Sequence, residues 1–289
     1  MNILRTAVGL AALACVVLAP IGSGAQPAKR NDQASEKLGM RLSLQCYTFR
    51  ALTFFDTVDE AAHMGVKYLE IYPGQKIRSG SDDVMNWKMS ADNIAAIKKK
   101  LKDAGGLKLI GYGVDGIPAD EPTARKMFEW AKDMGIKVLI TETVPAEMHD
   151  KLCAEFNIRM ALHNHPSSWP PDDILKACAG HVKLIGSCSD TGHWMRRNLK
   201  PVEQLQKLQG RVEHLHFKDL NQYGGGDDLP WGTGQGDARG MLAELKRQGY
   251  HGYLSMEYEV GTVQELESNL PKCIAFFDQT LTELAHSKK

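Results

Sequence analysis

Acidic and imidazole side chains collect at the ends of short apolar runs in this chain. Asp190 closes the run that begins at Val182. His214, His216 and Lys218 alternate through Arg211–Asp219, and Glu257 lies near the end of Tyr253–Glu259. His163 and His165 end Arg159–His165, and Glu142 ends Lys137–Glu142. Side chains alternate along a strand, so His214, His216 and Lys218 share one face while Leu215 and Phe217 take the other. If the runs are strands of one barrel, their carboxyl ends meet over its mouth, where polar residues read as catalytic. Glu142, Asp190, His216 and Glu257 then converge. Three carboxylates and one imidazole suit one hard or borderline divalent ion, Mn²⁺, Mg²⁺ or Co²⁺, with Zn²⁺ also admissible. A single acid at such a place is more often a solvated charge or an ion-pair partner. Four at equivalent strand ends favour a site.

Further strand-end groups surround those four. His163, Lys218, Glu70, Tyr47, Trp194 and Arg196 are the expected substrate contacts, and His165 and His193 the expected acid–base or positioning imidazoles. The two histidines of strand five could equally be satisfied side chains under a loop, and Trp194 and Trp231 could simply pin loops. His214 lies one layer deeper than His216 and is expected to support it.

The elements that must position these groups follow a rhythm. Short apolar strands recur about every 25 to 40 residues with amphipathic segments between them, the pattern of parallel α/β folds. Strands are predicted at 42–47, 67–72, 108–113, 137–142, 159–165, 182–190, 211–219 and 253–259, each followed by a helix. Eight such units in about 250 residues predict a single-domain (β/α)₈ TIM barrel over 41–289. The loop from Pro73 to Trp87 is long enough to act as a lid. Residues 1–25 read as a signal peptide: Arg5 is followed by the apolar run Ala7–Ala19 and by the small residues Ser23-Gly24-Ala25. Residues 26–40 read as a flexible linker. An exported, periplasmic or secreted protein with no membrane association after cleavage is therefore expected.

Lys and Arg total 35, as do Asp and Glu, and cleavage would remove only Arg5 from this balance. Neither a nucleic acid nor an anionic membrane is an indicated partner. A small-molecule carbohydrate is the expected one, and a homo-oligomer stays open. Of six cysteines, the mature chain would keep Cys46, Cys153, Cys178, Cys188 and Cys273. Their scattered spacing is neither a disulfide framework nor a zinc knuckle.

Asp190-x-x-His193, His216-x-Lys218-Asp219, Glu257 and His163-Asn164-His165 together resemble the xylose isomerase-like TIM-barrel superfamily, the sugar phosphate isomerases/epimerases. The likeness runs from Arg41 to Leu281. The openings Gln45-Cys46-Tyr47-Thr48-Phe49-Arg50 and Glu70-Ile71-Tyr72-Pro73-Gly74-Gln75 resemble an exported bacterial branch of it. The resemblance implies one divalent ion on Glu142, Asp190, His216 and Glu257, with Glu142 and Glu257 as the acid–base pair and His193 touching substrate. Ile140-Thr141-Glu142-Thr143 lacks the flanking residues seen in the epimerases. Endonuclease IV shares the Asp-x-x-His element, but its three-zinc site needs histidines where this chain has Glu70-Ile71-Tyr72 and Gly111-Tyr112-Gly113.

The expected activity is a divalent-metal-dependent sugar isomerase or epimerase working by proton abstraction beside a carbonyl. A lyase or hydratase acting on 3-keto-glycosides or keto-sugars through the same enediolate is the alternative. An exported sugar-binding module is the non-enzymatic one; it would need aromatics and hydrogen-bonding groups but no ligand set.

Overall fold

The computed structural model describes residues 30–287. Eight parallel strands close in sequence order into a barrel, with the first paired to the last. They are β1 (Met40–Gln45), β2 (Tyr68–Ile71), β3 (Lys108–Tyr112), β4 (Val138–Thr141), β5 (Arg159–His163), β6 (Ile185–Asp190), β7 (Val212–Phe217) and β8 (Gly252–Met256). The expected (β/α)₈ architecture is thus present as a single domain. Apart from β6, which ends at Asp190 as predicted, the predicted strands ran one to three residues too long at their carboxyl ends. Tyr47 lies on a 3₁₀ turn, Cys46–Phe49, and His165 lies beyond β5.

The helices are α1 (Gln33–Leu38), α2 (Phe54–His63), α3 (Ala91–Asp103), α4 (Glu121–Met134), α5 (Glu147–Phe156), α6 (Pro171–Ala177), α7 (Thr191–Arg196), α8 (Pro201–Lys207), α9 (Ala238–Arg247) and α10 (Val263–His286). Their starts are written locally. Thr53, Ser90, Asp120, Asp190, Asp237 and Thr262 each accept a backbone N–H two or three residues into the helix that follows. Among the described residues, eight helices cover the barrel, while α1 and α7 are additional to the βα repeat.

The proposed signal peptide, 1–25, lies outside the described residues, as does the start of the linker. From residue 30 the linker expectation gives way to structure. Arg30 pairs with Asp278 of α10 at 2.5 Å, α1 forms, and buried Ser35 donates to the Met40 carbonyl at 2.6 Å. Residues 73–87 are packed rather than lid-like: Lys76 and Val84 form an antiparallel bridge, and Ile77 and Met85 are buried in the core. The five cysteines among the described residues are all buried free thiols.

The main apolar core lies between strands and helices. Inside the barrel the filling is divided. Val138, Ile140, Ala161 and Cys188 of β4–β6 form a small apolar group. Ser43, Gln45, Glu70, His214, His216 and Ser255 from β1, β2, β7 and β8 are fully or almost fully buried polar groups. Gly111 on β3 makes room for them, since a Cβ there would lie 2.9 Å from Glu70 Cγ.

Candidate active site

Three polar layers stack along the barrel towards its carboxyl-terminal mouth. In the deepest, one carboxylate gathers four donors. Glu70 accepts from Gln45 Nε2 at 2.6 Å, His216 Nε2 at 2.7 Å, His214 Nε2 at 2.7 Å and Ser255 Oγ at 2.5 Å. Burial alone would push this carboxyl up, but His216 and His214 beside it outweigh that and hold it at about 2. Glu70, expected as a substrate contact, instead has 0 % exposure beneath the site and orients His216.

The middle layer joins β5, β6, β7 and β8. Register places Asp190 beside His216 and His163 beside Cys188. Ligand atoms of His163, Asp190, His216 and Glu257 all lie within 4.8 Å of one another. His216 Nδ1 lies 3.0 Å from His163 Nε2 and 3.1 Å from Glu257 Oε2. The buried Lys218 ammonium stands between the two carboxylates, 2.7 Å from Asp190 Oδ2 and 2.6 Å from Glu257 Oε2. Desolvation opposes charge on Asp190 and Glu257. His193 and Lys218 overcome it for Asp190, and His216 and Lys218 for Glu257, so both stay well below the usual carboxylate range.

The outer layer borders solvent. Glu142 accepts from Ser168 Oγ and pairs with His165 Nδ1 at 2.8 Å, both side chains being about 40 % exposed (39% and 42%). These two residues line a cleft of about 410 Å³ with Gln45, Tyr47, Tyr72, Pro73, Gly113 and Val114. His193 is below them, with its ring 5.3 Å from that of His165. Burial lowers His193 to about 3, against the opposing pull of Asp190, so the ring is neutral.

Asp190, His216 and Glu257 thus come together as three of the four expected ligands. Glu142 is bonded to His165 and Ser168 instead, and His163 fills the fourth place in the group. His163, His165 and His193 form a second group within 4.8 Å. The first group fits a divalent ion. Two carboxylates and two imidazoles form a mixed N/O donor set, and Glu70 occupies His216 Nε2 so that Nδ1 faces the other donors, an outer carboxylate being the usual partner of a ligating histidine. Lys218 shares the two carboxylate oxygens, each of which has more than one lone pair.

Trp194 offers no face to a substrate; it has 0 % exposure and packs in the core. Trp231 is likewise buried, against Phe217. Lys218, expected as a substrate contact, is instead buried with its ammonium against Asp190 and Glu257. The Asp219 carboxylate instead accepts from the backbone N–H groups of Gly232, Gly234 and Gly236, at 2.8, 3.0 and 2.9 Å, and ties down the loop after β7. Arg196 is engaged by Glu259 at 2.7 Å. Tyr47 remains at the cleft. Gln45, Ser168 and Glu259 were not named as site residues from the sequence. Alternation places Gln45 and Glu259 on the strand faces of Ser43 and Glu257 but does not single them out; Ser168 carries no such signal.

Gly192 gives the site a test through packing. A Cβ there would lie 2.7 Å from Lys218 Cδ and 2.9 Å from its Cβ. Gly192→Ala is expected to displace the lysine stem and cost about 1–3 kcal/mol, the usual penalty of overpacking. Denaturant unfolding measures this, and unchanged stability would show that the stem relocates freely.

Residues 145–280 match the family described as xylose isomerase-like TIM barrel. No curated protein matches the chain. Among solved structures, an uncharacterized protein from Parabacteroides distasonis ATCC 8503 is 29% identical, with TM-score 0.67 over 83% of this chain and 99% of that one. A D-psicose 3-epimerase from Clostridium cellulolyticum H10, solved with D-tagatose, is 12% identical, with TM-score 0.62 over 84% and 99%. A probable 3-DHS dehydratase from Bacillus anthracis is 16% identical, with TM-score 0.61 over 82% and 98%. The last two likenesses show the fold alone. The barrel closed through all eight strands makes the chain a (β/α)₈ TIM barrel, and its residues 145–280 match the xylose isomerase-like TIM-barrel family.

Proposed function

We propose that this chain is an enzyme that deprotonates a carbon beside the carbonyl of a small carbohydrate and returns the proton elsewhere, an isomerase or epimerase. The grouping of Asp190, His216, Glu257 and His163 at the strand ends, below a cleft edged by Glu142 and His165, carries this reading. His163, Asp190, His216 and Glu257 would hold a divalent ion. Such an ion, when bound, supplies Lewis-acid polarisation of the carbonyl. Glu257 is the proton acceptor on the inner side, kept ionised by His216 and Lys218. Glu142, coupled to His165, is the group that exchanges the proton at the mouth. A sugar-binding module would have no use for two buried acids and two buried imidazoles around one point. The epimerase among the fold's neighbours agrees with this choice.

The pairing of His165 with Glu142 at the open edge also suits protonation of a leaving group. If the substrate carries one β to the carbonyl, the same deprotonation ends in elimination, and the enzyme is a lyase. A dehydratase among the neighbours agrees with that second reading. Replacing His165 by alanine is expected to slow either reaction about 10²–10⁴-fold, the range for loss of a positioned acid or base. Unchanged turnover in His165→Ala would make the imidazole part of the cleft wall only.

Solvent-deuterium incorporation, followed by NMR over a panel of ketoses and keto-glycosides, tests the proposal. At least one C–H position should exchange, and elemental analysis should find about one divalent ion per chain. Sugars that raise thermal stability while no C–H exchanges would make the protein a binding module.

A further inference from the structure

Around His193 the side chains close into a ring. Arg196 Nη1 lies 2.9 Å from His193 Nδ1 and 2.7 Å from Glu259 Oε2. Glu259 Oε1 reaches Lys218 Nζ at 3.3 Å, and Lys218 Nζ reaches Asp190 Oδ2 at 2.7 Å. His193 Nε2 faces that same oxygen at 3.5 Å. The backbone fixes the imidazole from its other side, because the His193 N–H donates to Asp190 Oδ1 at 2.7 Å where Asp190 caps α7.

A guanidinium has only donors and keeps its charge. A ring nitrogen in hydrogen-bond contact with it must therefore present a lone pair. For a neutral imidazole, that leaves the single proton on Nε2, on the side of Asp190. The geometry points to Arg196, clamped by Glu259, as a positioning residue that holds His193 as the neutral Nε2–H tautomer. His193 then serves the site as a hydrogen-bond donor to an oxygen lying above Asp190. It does not act as a base, and Nε2 does not ligate an ion. The group of His163, His165 and His193 accordingly lacks its third lone pair and is not a second metal site. Only the identity of the accepted oxygen, a carbonyl or hydroxyl of a carbohydrate, rests on the proposed function; the tautomer does not.

The test needs no substrate. The full chain, with ¹⁵N in its histidine rings, is examined by two-bond ¹H–¹⁵N correlation, and His193 is identified by the signals lost in His193→Gln. Nε2 is expected to be protonated and Nδ1 bare. Arg196→Met, which keeps the bulk of the stem and removes every donor, should move His193 to a mixture with protonated Nδ1. Arg196→Lys should restore part of the original pattern. If Arg196→Met does not fold, Glu259→Gln, which loosens the clamp at constant shape, should shift the pattern in the same direction. A wild-type His193 with protonated Nδ1 overturns the proposal whatever the variants do. An unaltered pattern in a folded Arg196→Met, or in Glu259→Gln where that stands in for it, overturns it too. Failure of the deuterium screen alone would reject the proposed reaction and leave this tautomer standing.

Discussion

Glu257→Gln is expected to lower proton exchange on any true substrate by at least about 10³-fold, as removal of the accepting base requires. The substitution keeps shape and removes charge. In the native site, the Glu257 carboxylate lies 2.6 Å from Lys218 Nζ and 3.1 Å from His216 Nδ1, at only 8% side-chain exposure. An amide there cannot accept the substrate proton, and it also weakens the donor set around His163, Asp190 and His216. The two causes separate by measurement. Elemental analysis reports the ion, and deuterium incorporation at saturating metal reports the base. A Glu257→Gln protein with a full complement of metal and near-normal exchange would make the strand-eight glutamate scaffold and remove the proton-abstraction mechanism.

The barrel was legible because its strands must be. Parallel strands buried on both faces leave short apolar runs between turn residues, and the runs before Asp190 and through His216 could be read from that alone. Boundaries failed at the mouth. Polar alternation continues past the last ladder hydrogen bond, so Tyr47 and His165 looked like strand residues although the chain has already turned. Glu142 was placed among the ligands by equivalence of position. The loop after β4 and the presence of Ser168 and His165 decide where its carboxylate goes, and neither follows from spacing. Lys218 was expected at the site as a substrate contact, and its place between two carboxylates was hidden for another reason. A lysine is among the side chains least often buried, and only closure of β6, β7 and β8 around it brings Asp190 and Glu257 to its ammonium. Likewise, Arg196 and Glu259 are 63 residues apart, and no local pattern links them.

Glu70→Gln should be the most destabilising single change within the barrel, by about 3–5 kcal/mol, the cost of removing one partner from a buried ion pair. Gln45, His214, His216 and Ser255 come from three other strands and converge on this one carboxylate. The change removes the anion from the Nε2 side of the His216 imidazole, leaving Glu257 on the Nδ1 side, and breaks the contact that sets its ring. The pH dependence has a definite sign. Glu70 titrates at about 2 when folded, below the ordinary value of 4.5. Its contribution, on the order of 3 kcal/mol, is therefore complete above about pH 4.5 and is lost as pH falls towards 2. Urea unfolding between pH 7 and pH 2.5 should show a steep acid loss in the wild type and a shallower one in Glu70→Gln, whose amide does not titrate. Parallel acid curves for the two proteins would show that Glu70 is not the group held down. A Glu70→Gln protein as stable as the wild type at pH 7 would mean that the histidines find other partners and that the deepest layer does not orient His216.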